Sequence, residues 1–177
     1  MLTRHPHTPA HLFLDNTPYF ITGAIYQKRP LLADAGLKKE LSGIMKENFS
    51  MAGWRLDHWV ILDNHYHVLG HSRKGSDLSK IIGRVHYRSA GLIRAATGCE
   101  RPVWWNYWDY CPRDEKEYVT RLNYLLNNPV KHGYVHRLHD YPFSSFHEFF
   151  DQMGRERLVK QFQDYPEYRS IEIKDDF

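Results

Sequence analysis

Two β-branched and aromatic runs, residues 54–62 and 65–71, are separated only by Asp63-Asn64. Such a dipeptide tolerates the positive φ angles of a tight turn, so the two runs are expected to fold back on each other as an antiparallel hairpin whose paired residue numbers sum to 127. Ahead of this hairpin, residues 19–26 read as a strand bounded by Pro18 and Pro30. Residues 36–51 follow, with Leu37, Leu41, Ile44 and Met45 at helical spacing before Gly53. After the hairpin, Leu78, Ile81, Ile82, Val85, Ser89, Leu92, Ile93 and Ala96 form one helical stripe that ends near Gly98. Residues 103–111 are aromatic and strand-like, and Asp114 with Glu117 looks like a capping box opening a helix that Pro129 is expected to end.

The order β-α-β-β-α-β-α predicts an α+β fold. It is the ferredoxin-like split β-α-β antiparallel sheet, with two helices on one face and one extra C-terminal helix. One domain is expected over 1–150, with its core at about 19–133 and an acidic tail over 151–177. The chain's 177 residues can bury a core without staples, and its 2 cysteines, Cys99 and Cys111, have no paired spacing, so a reducing, cytoplasmic setting is expected. No apolar segment suits a signal peptide or a membrane span.

The formal charge of +3 is uneven. Residues 1–160 carry 22 basic and 16 acidic side chains, residues 161–177 carry 2 and 5. Within 71–101, seven basic residues face only Asp77 and Glu100, and Lys80, Arg84 and Arg88 line one helix face, which points to a polyanion partner.

Three groups could carry chemistry. His65 and His67 are two apart in a strand, so both imidazoles project from the same face and can share one divalent ion, although a His pair on a strand is also an ordinary polar surface feature. His58 and His71 share that face. On the helix after Asp114, the stripe of Tyr118, Val119, Leu122, Leu125 and Leu126 is expected to pack on the sheet. Tyr124, about 200° from Leu122, falls off it onto a face shared with Glu117, Arg121 and Asn128. Pro129 is expected to hold Asn128 at the helix terminus, where its amide oxygen is a hard ligand suited to Mg²⁺ or Mn²⁺.

His65-Tyr66-His67 after Leu62-Asp63-Asn64, and Tyr124 followed by Asn128, together resemble the His-hydrophobe-His motif, the nucleophile and the third metal ligand of single-tyrosine (HUH) transposases. Within that superfamily the chain is most similar to the REP-associated tyrosine transposases. The residues that carry this are Tyr124 with Asn128-Pro129-Val130-Lys131-His132-Gly133, then Tyr141-Pro142-Phe143-Ser144-Ser145, and Arg29-Pro30-Leu31-Leu32. The resemblance spans about residues 15 to 150, with Phe143 where the family commonly has Trp.

The resemblance implies a metal-dependent single-strand DNA endonuclease and strand transferase. Mg²⁺ or Mn²⁺ would be held by His65, His67 and Asn128, and Tyr124 would form a 5′-phosphotyrosine at a hairpin of palindromic DNA. Lys80, Arg84, Arg88, Arg121 and Lys131 are expected on phosphates, and Trp105 and Tyr107, with Trp104 and Trp108 as further candidates, on unpaired bases. A monomer is expected, with a dimer exchanging the tyrosine helix as the alternative. A histidine-triad nucleotide hydrolase would need a third His where Leu69 stands. The remaining rival is a hairpin-binding protein that no longer cleaves.

Overall fold

The computed structural model describes residue 11 and residues 13–171. Four strands, β1 (Pro18–Ile25), β2 (Arg55–Ile61), β3 (His65–His71) and β4 (Trp104–Tyr110), form one sheet in the order β2-β3-β1-β4, every neighbour antiparallel. The expected hairpin register holds from Ile61↔Tyr66 through Val60↔His67 to His58↔Leu69, and shifts by one at the bulge beside Asp57. β3 and β1 pair Thr22 with His67 and Ala24 with His65.

Both faces of the sheet are covered. Helices α1 (Ala35–Met51) and α2 (Leu78–Thr97) pack on the face that carries Tyr19, Ile21, Trp59, Tyr66 and Val68. Asp34 caps α1 by accepting from Leu37 N, and Gly98, at φ 68°, ends α2 in the left-handed conformation that a side chain would resist. The other face, with Phe20, Val60, Leu62 and Leu69, is covered by α3 (Glu115–Lys131). Two helices unforeseen in the sequence complete this cover, α4 (Phe146–Met153) and α5 (Arg155–Asp164). The boundary drawn between residues 150 and 151 falls inside α4. Leu158 and Tyr168, from the stretch read as tail, are buried against α3.

Two expectations about α3 are corrected. Pro129 does not end the helix, which runs on to Lys131. The extra turn closes in a Schellman arrangement, Gly133 N donating to Val130 O and Tyr134 N to Pro129 O, with Gly133 at φ 73°. The polar row Glu117, Arg121, Tyr124 and Asn128 does not look away from the core but lies on the sheet. Glu117 binds the Tyr110 hydroxyl, Arg121 sits over the Phe20 and Tyr110 rings, Tyr124 meets Phe20 and His67, and Asn128 meets His65. The helix is buried on both sides because α5 and the 166–170 turn cover its far side. Asn123 there exchanges hydrogen bonds with Gln161 and the Tyr165 carbonyl.

Candidate active site

The site forms where the tip of the β2–β3 hairpin meets the C-terminal half of α3. The tip is tied down on three sides. Leu32 N donates to the Asp63 carbonyl and Ile25 N to the Asn64 carbonyl, both at 2.8 Å. Lys38, only 4% exposed, reaches from α1 to Asp63 at 2.6 Å, its ammonium set among the rings of Tyr134, Tyr141 and Phe143.

On that fixed tip the two imidazoles face the same way, their ring centres 4.9 Å apart. Each is held through Nδ1: His65 meets Asn64 Oδ1 at 2.7 Å, and His67 meets the Thr22 hydroxyl at 2.8 Å. His65 Nε2 is 3.2 Å from Asn128 Oδ1, while His67 Nε2 and Asn128 Nδ2 are buried without a partner. Unpaired buried polar atoms cost about 1–3 kcal/mol each, so the gathering here of two of the three such side-chain atoms among the described residues, the third being His58 Nδ1, marks a site built to receive something. Two imidazole nitrogens and an amide oxygen converging from two elements are a donor set that fits a divalent ion such as Mn²⁺ or Mg²⁺. No cluster of three or more His, Cys, Asp or Glu side chains suited to a metal occurs among the described residues, so the amide is needed to complete a set.

Burial pulls the His65 pKa down to about 4, helped by His132, Lys131 and Lys28 and opposed by the contact with Asn128. Burial also drives His67 well below its usual range, with His65, His132, Lys131 and Arg121 acting in the same direction. Neutral imidazoles are the form that can ligate a metal.

Tyr124 lies beside this set, its ring 5.4 Å from that of His67. Its hydroxyl is 3.4 Å from the Lys131 ammonium, which also reaches the Ile171 carbonyl at 3.4 Å. Tyr124 is 2% exposed, so the phenol is buried, contrary to its expected place off the core stripe. Arg121, one turn earlier, stacks 4.4 Å above Tyr110, and His132 lies 5.1 Å from His65. The charged groups facing the two imidazoles are thus cationic, which suits an anionic substrate.

The other residues expected at DNA lie elsewhere. Lys80, Arg84 and Arg88 are exposed on α2, on the opposite face of the sheet, Lys80 near Asp77 and Arg88 paired with Glu47. Tyr107 also faces α2, its hydroxyl 2.9 Å from Ser79, and Trp104 is buried against His86. Trp105 stacks on Tyr26 at the sheet edge. Trp108 pairs with Thr22 and therefore shares the face of His67. Thr22 and Asn64 are site residues that sequence reasoning missed. Asn64 was read only as a turn residue, and Thr22 reveals itself only once the β1–β3 register is known.

The sequence and the fold both have relatives among known proteins. The chain is 29% identical over 99 residues to a REP-associated tyrosine transposase of Escherichia coli, covering 53% of this chain and 55% of that protein. It is 45% identical over 49 residues to a putative REP-associated tyrosine transposase of Haemophilus influenzae, 27% of this chain and 28% of that one. The chain thus spans about half the length, or less, of the curated relatives it matches. The solved structure of a REP-associated tyrosine transposase bound to a REP hairpin has the same fold, with a TM-score of 0.66 at 24% identity over 79% of this chain and 82% of that one. The family model for IS200-like transposases matches residues 16–111, which takes in β1 to β4 and both histidines but stops short of Tyr124 and Asn128. Since that match covers more than half of its residues, the chain belongs to the IS200-like transposase family.

Proposed function

We propose that the chain is a metal-dependent, single-strand DNA endonuclease and strand transferase acting at hairpins of repetitive palindromic DNA. The observation that carries this reading is the convergence of His65, His67, Asn128 and Tyr124, from two separate elements, on one spot ringed by Arg121 and Lys131. Hairpin DNA as the partner is favoured by the likeness to a protein solved with a REP hairpin.

A divalent ion held by His65 Nε2, His67 Nε2 and Asn128 Oδ1 would supply positive charge to a scissile phosphate as negative charge builds in the transition state. The Tyr124 hydroxyl gives up its proton as its oxygen attacks phosphorus, the new Tyr124 O–P bond replaces the bond to the upstream 3′ oxygen, and that oxygen takes up a proton and leaves as a 3′-OH. An aryl oxide is a good leaving group, so a 3′-OH can reverse the step and join strands without a nucleotide cofactor. Lys131, 3.4 Å from the phenol oxygen, sets its ammonium against the phosphate charge. Asn64 and Thr22 orient the imidazoles, and the fixed hairpin tip keeps them in register with α3.

The test is a denaturing gel of protein, Mn²⁺ or Mg²⁺ and labelled hairpin DNA with an unpaired foot. A covalent adduct that disappears in Tyr124→Phe and on chelation is expected. Lack of any adduct over a panel of hairpins, or an adduct undiminished in Tyr124→Phe, removes the nucleophile assignment. A protein that shifts DNA on a native gel without forming an adduct is a binder only.

A further inference from the structure

Whether His65 can ligate through Nε2 depends on which ring nitrogen holds its proton, and the hairpin turn decides that. Asn64 Nδ2 donates to the Lys28 carbonyl oxygen at 3.3 Å, an atom that can only accept. The side-chain amide is thereby turned so that its oxygen faces His65 Nδ1 at 2.7 Å. An amide oxygen also can only accept, and Asn128 Oδ1, 3.2 Å from Nε2, is a second such acceptor, so the two oxygens compete for the one proton of the neutral ring; the 2.7 Å contact to the anchored Asn64 amide is the closer, which places the proton on Nδ1 and leaves the lone pair on Nε2. The histidine side chain in water prefers the Nε2–H tautomer, so the protein has to impose this one. His67 receives no such instruction, because the Thr22 hydroxyl at its Nδ1 can donate or accept.

The Lys28 carbonyl comes from an unusual turn. Gln27 and Lys28 have φ of 58° and 53°, two successive non-glycine residues in the left-handed region. Backbone of that kind persists where the surroundings over-determine it, and it concentrates at functional sites. Here the turn follows β1 directly, and the Asn64 carbonyl accepts from Ile25 N at 2.8 Å, so turn and hairpin tip are locked together.

We propose that Asn64, oriented by the Lys28 carbonyl, is a positioning residue that holds His65 in its Nδ1–H tautomer and so presents the Nε2 lone pair for metal binding. This rests on the reading of His65 as a ligand. Asn64 touches neither the metal nor the DNA in this scheme. It acts through the imidazole, as outer partners of ligating histidines commonly do.

Long-range ¹H–¹⁵N correlation spectra of the full-length, metal-free, ¹⁵N-histidine-labelled chain at about pH 7.5 read the tautomer directly. The wild type should show His65 protonated on Nδ1 and bare at Nε2. Asn64→Ala should show a mixed or reversed tautomer, with calorimetric Mn²⁺ affinity lower by about 10- to 100-fold. Asn64→Asp, whose carboxylate still accepts from Nδ1, should keep the wild-type tautomer and restore the affinity. A wild-type proton on Nε2, or an Nδ1–H tautomer retained in Asn64→Ala, overturns the proposal. If Asn64→Ala does not fold, the wild-type and Asn64→Asp spectra still decide it. The expected tautomers together with no Tyr124 adduct on any hairpin would reject the nuclease reading and leave the role of Asn64 standing.

Discussion

Mild acid is expected to destabilise this chain well above the pH at which its carboxylates titrate. Burial lowers His58 and His65 to about 4 and His86 to about 3, and His67 lies well below its usual range for the same reason. In the unfolded chain all four take a proton near pH 6.5. Between that pH and the depressed folded values, the unfolded state therefore holds more protons, and stability falls as pH falls. Each such group contributes about 1.4 kcal/mol per pH unit, so His58, His65 and His86 alone give about 4 kcal/mol per unit. Part of the surface of these three still meets solvent, which lets them protonate sooner, so about half that slope is expected from them, with His67 adding to it. A loss of about 3 kcal/mol between pH 6.5 and pH 5 is a large share of the 5–15 kcal/mol that holds a domain of this kind together. Urea unfolding with chelator present, repeated from about pH 7.5 down to about pH 5, measures it. His86→Gln isolates one contribution, since His86 packs on Trp104 and Tyr66, on the opposite face of the sheet from His65 and His67, and glutamine cannot titrate. The variant should lose less stability over the same interval. A flat profile between pH 6.5 and pH 5, or an unchanged slope in His86→Gln, refutes the picture of histidines buried in the neutral state.

Three further outcomes follow from named contacts. Asn128→Asp exchanges a neutral oxygen ligand for a charged one and removes a buried N–H that has no partner, so calorimetric Mn²⁺ affinity should rise about tenfold; no change would take Asn128 out of the ligand set. In Gly23→Ala the new Cβ would lie 2.3 Å from Cζ of Tyr66, which is fully buried, so thermal unfolding should show a loss of about 2–3 kcal/mol, the usual cost of overpacking. Replacing Lys80, Arg84 and Arg88 together by Ala should weaken hairpin DNA binding and flatten its salt dependence by about 0.7–0.9 per lost phosphate contact. Because α2 and the tyrosine helix lie on opposite faces of the sheet, adduct formation at saturating DNA should be unaffected; a matching loss of adduct would mean that the α2 charges act in the chemical step.

How much of this could be read from the chain depends on the range of the physics involved. The hairpin is local: the chain does turn at Asp63-Asn64, although neither residue takes the positive φ expected of them, and the pairing runs true through His58↔Leu69 until the Asp57 bulge shifts it. The common face of His65 and His67 follows from the strand period alone. The chemistry of the face opposite them was not local. Thr22 enters the site only through β1–β3 pairing across 45 positions, and Lys28 only because Asn64 reaches back 36.

The polar row of α3 was misplaced for a related reason. A single apolar stripe identifies the sheet-facing side of a helix only when its other side meets water. Here α5 and the 166–170 turn cover the second side, so the apolar stripe marks only part of the sheet-facing side: Tyr118 meets His71 and the stripe leucines share a cluster with Phe20, Val60 and Leu69, while the polar row lies on the sheet beside them. That wider contact is what places Arg121, Tyr124 and Asn128 against β1 and β3 rather than in solvent. The segment read as an acidic tail therefore has a structural effect on the site: through Leu158, Tyr168 and the Ile171 carbonyl on Lys131 it supplies the outer wall against which the tyrosine helix is held.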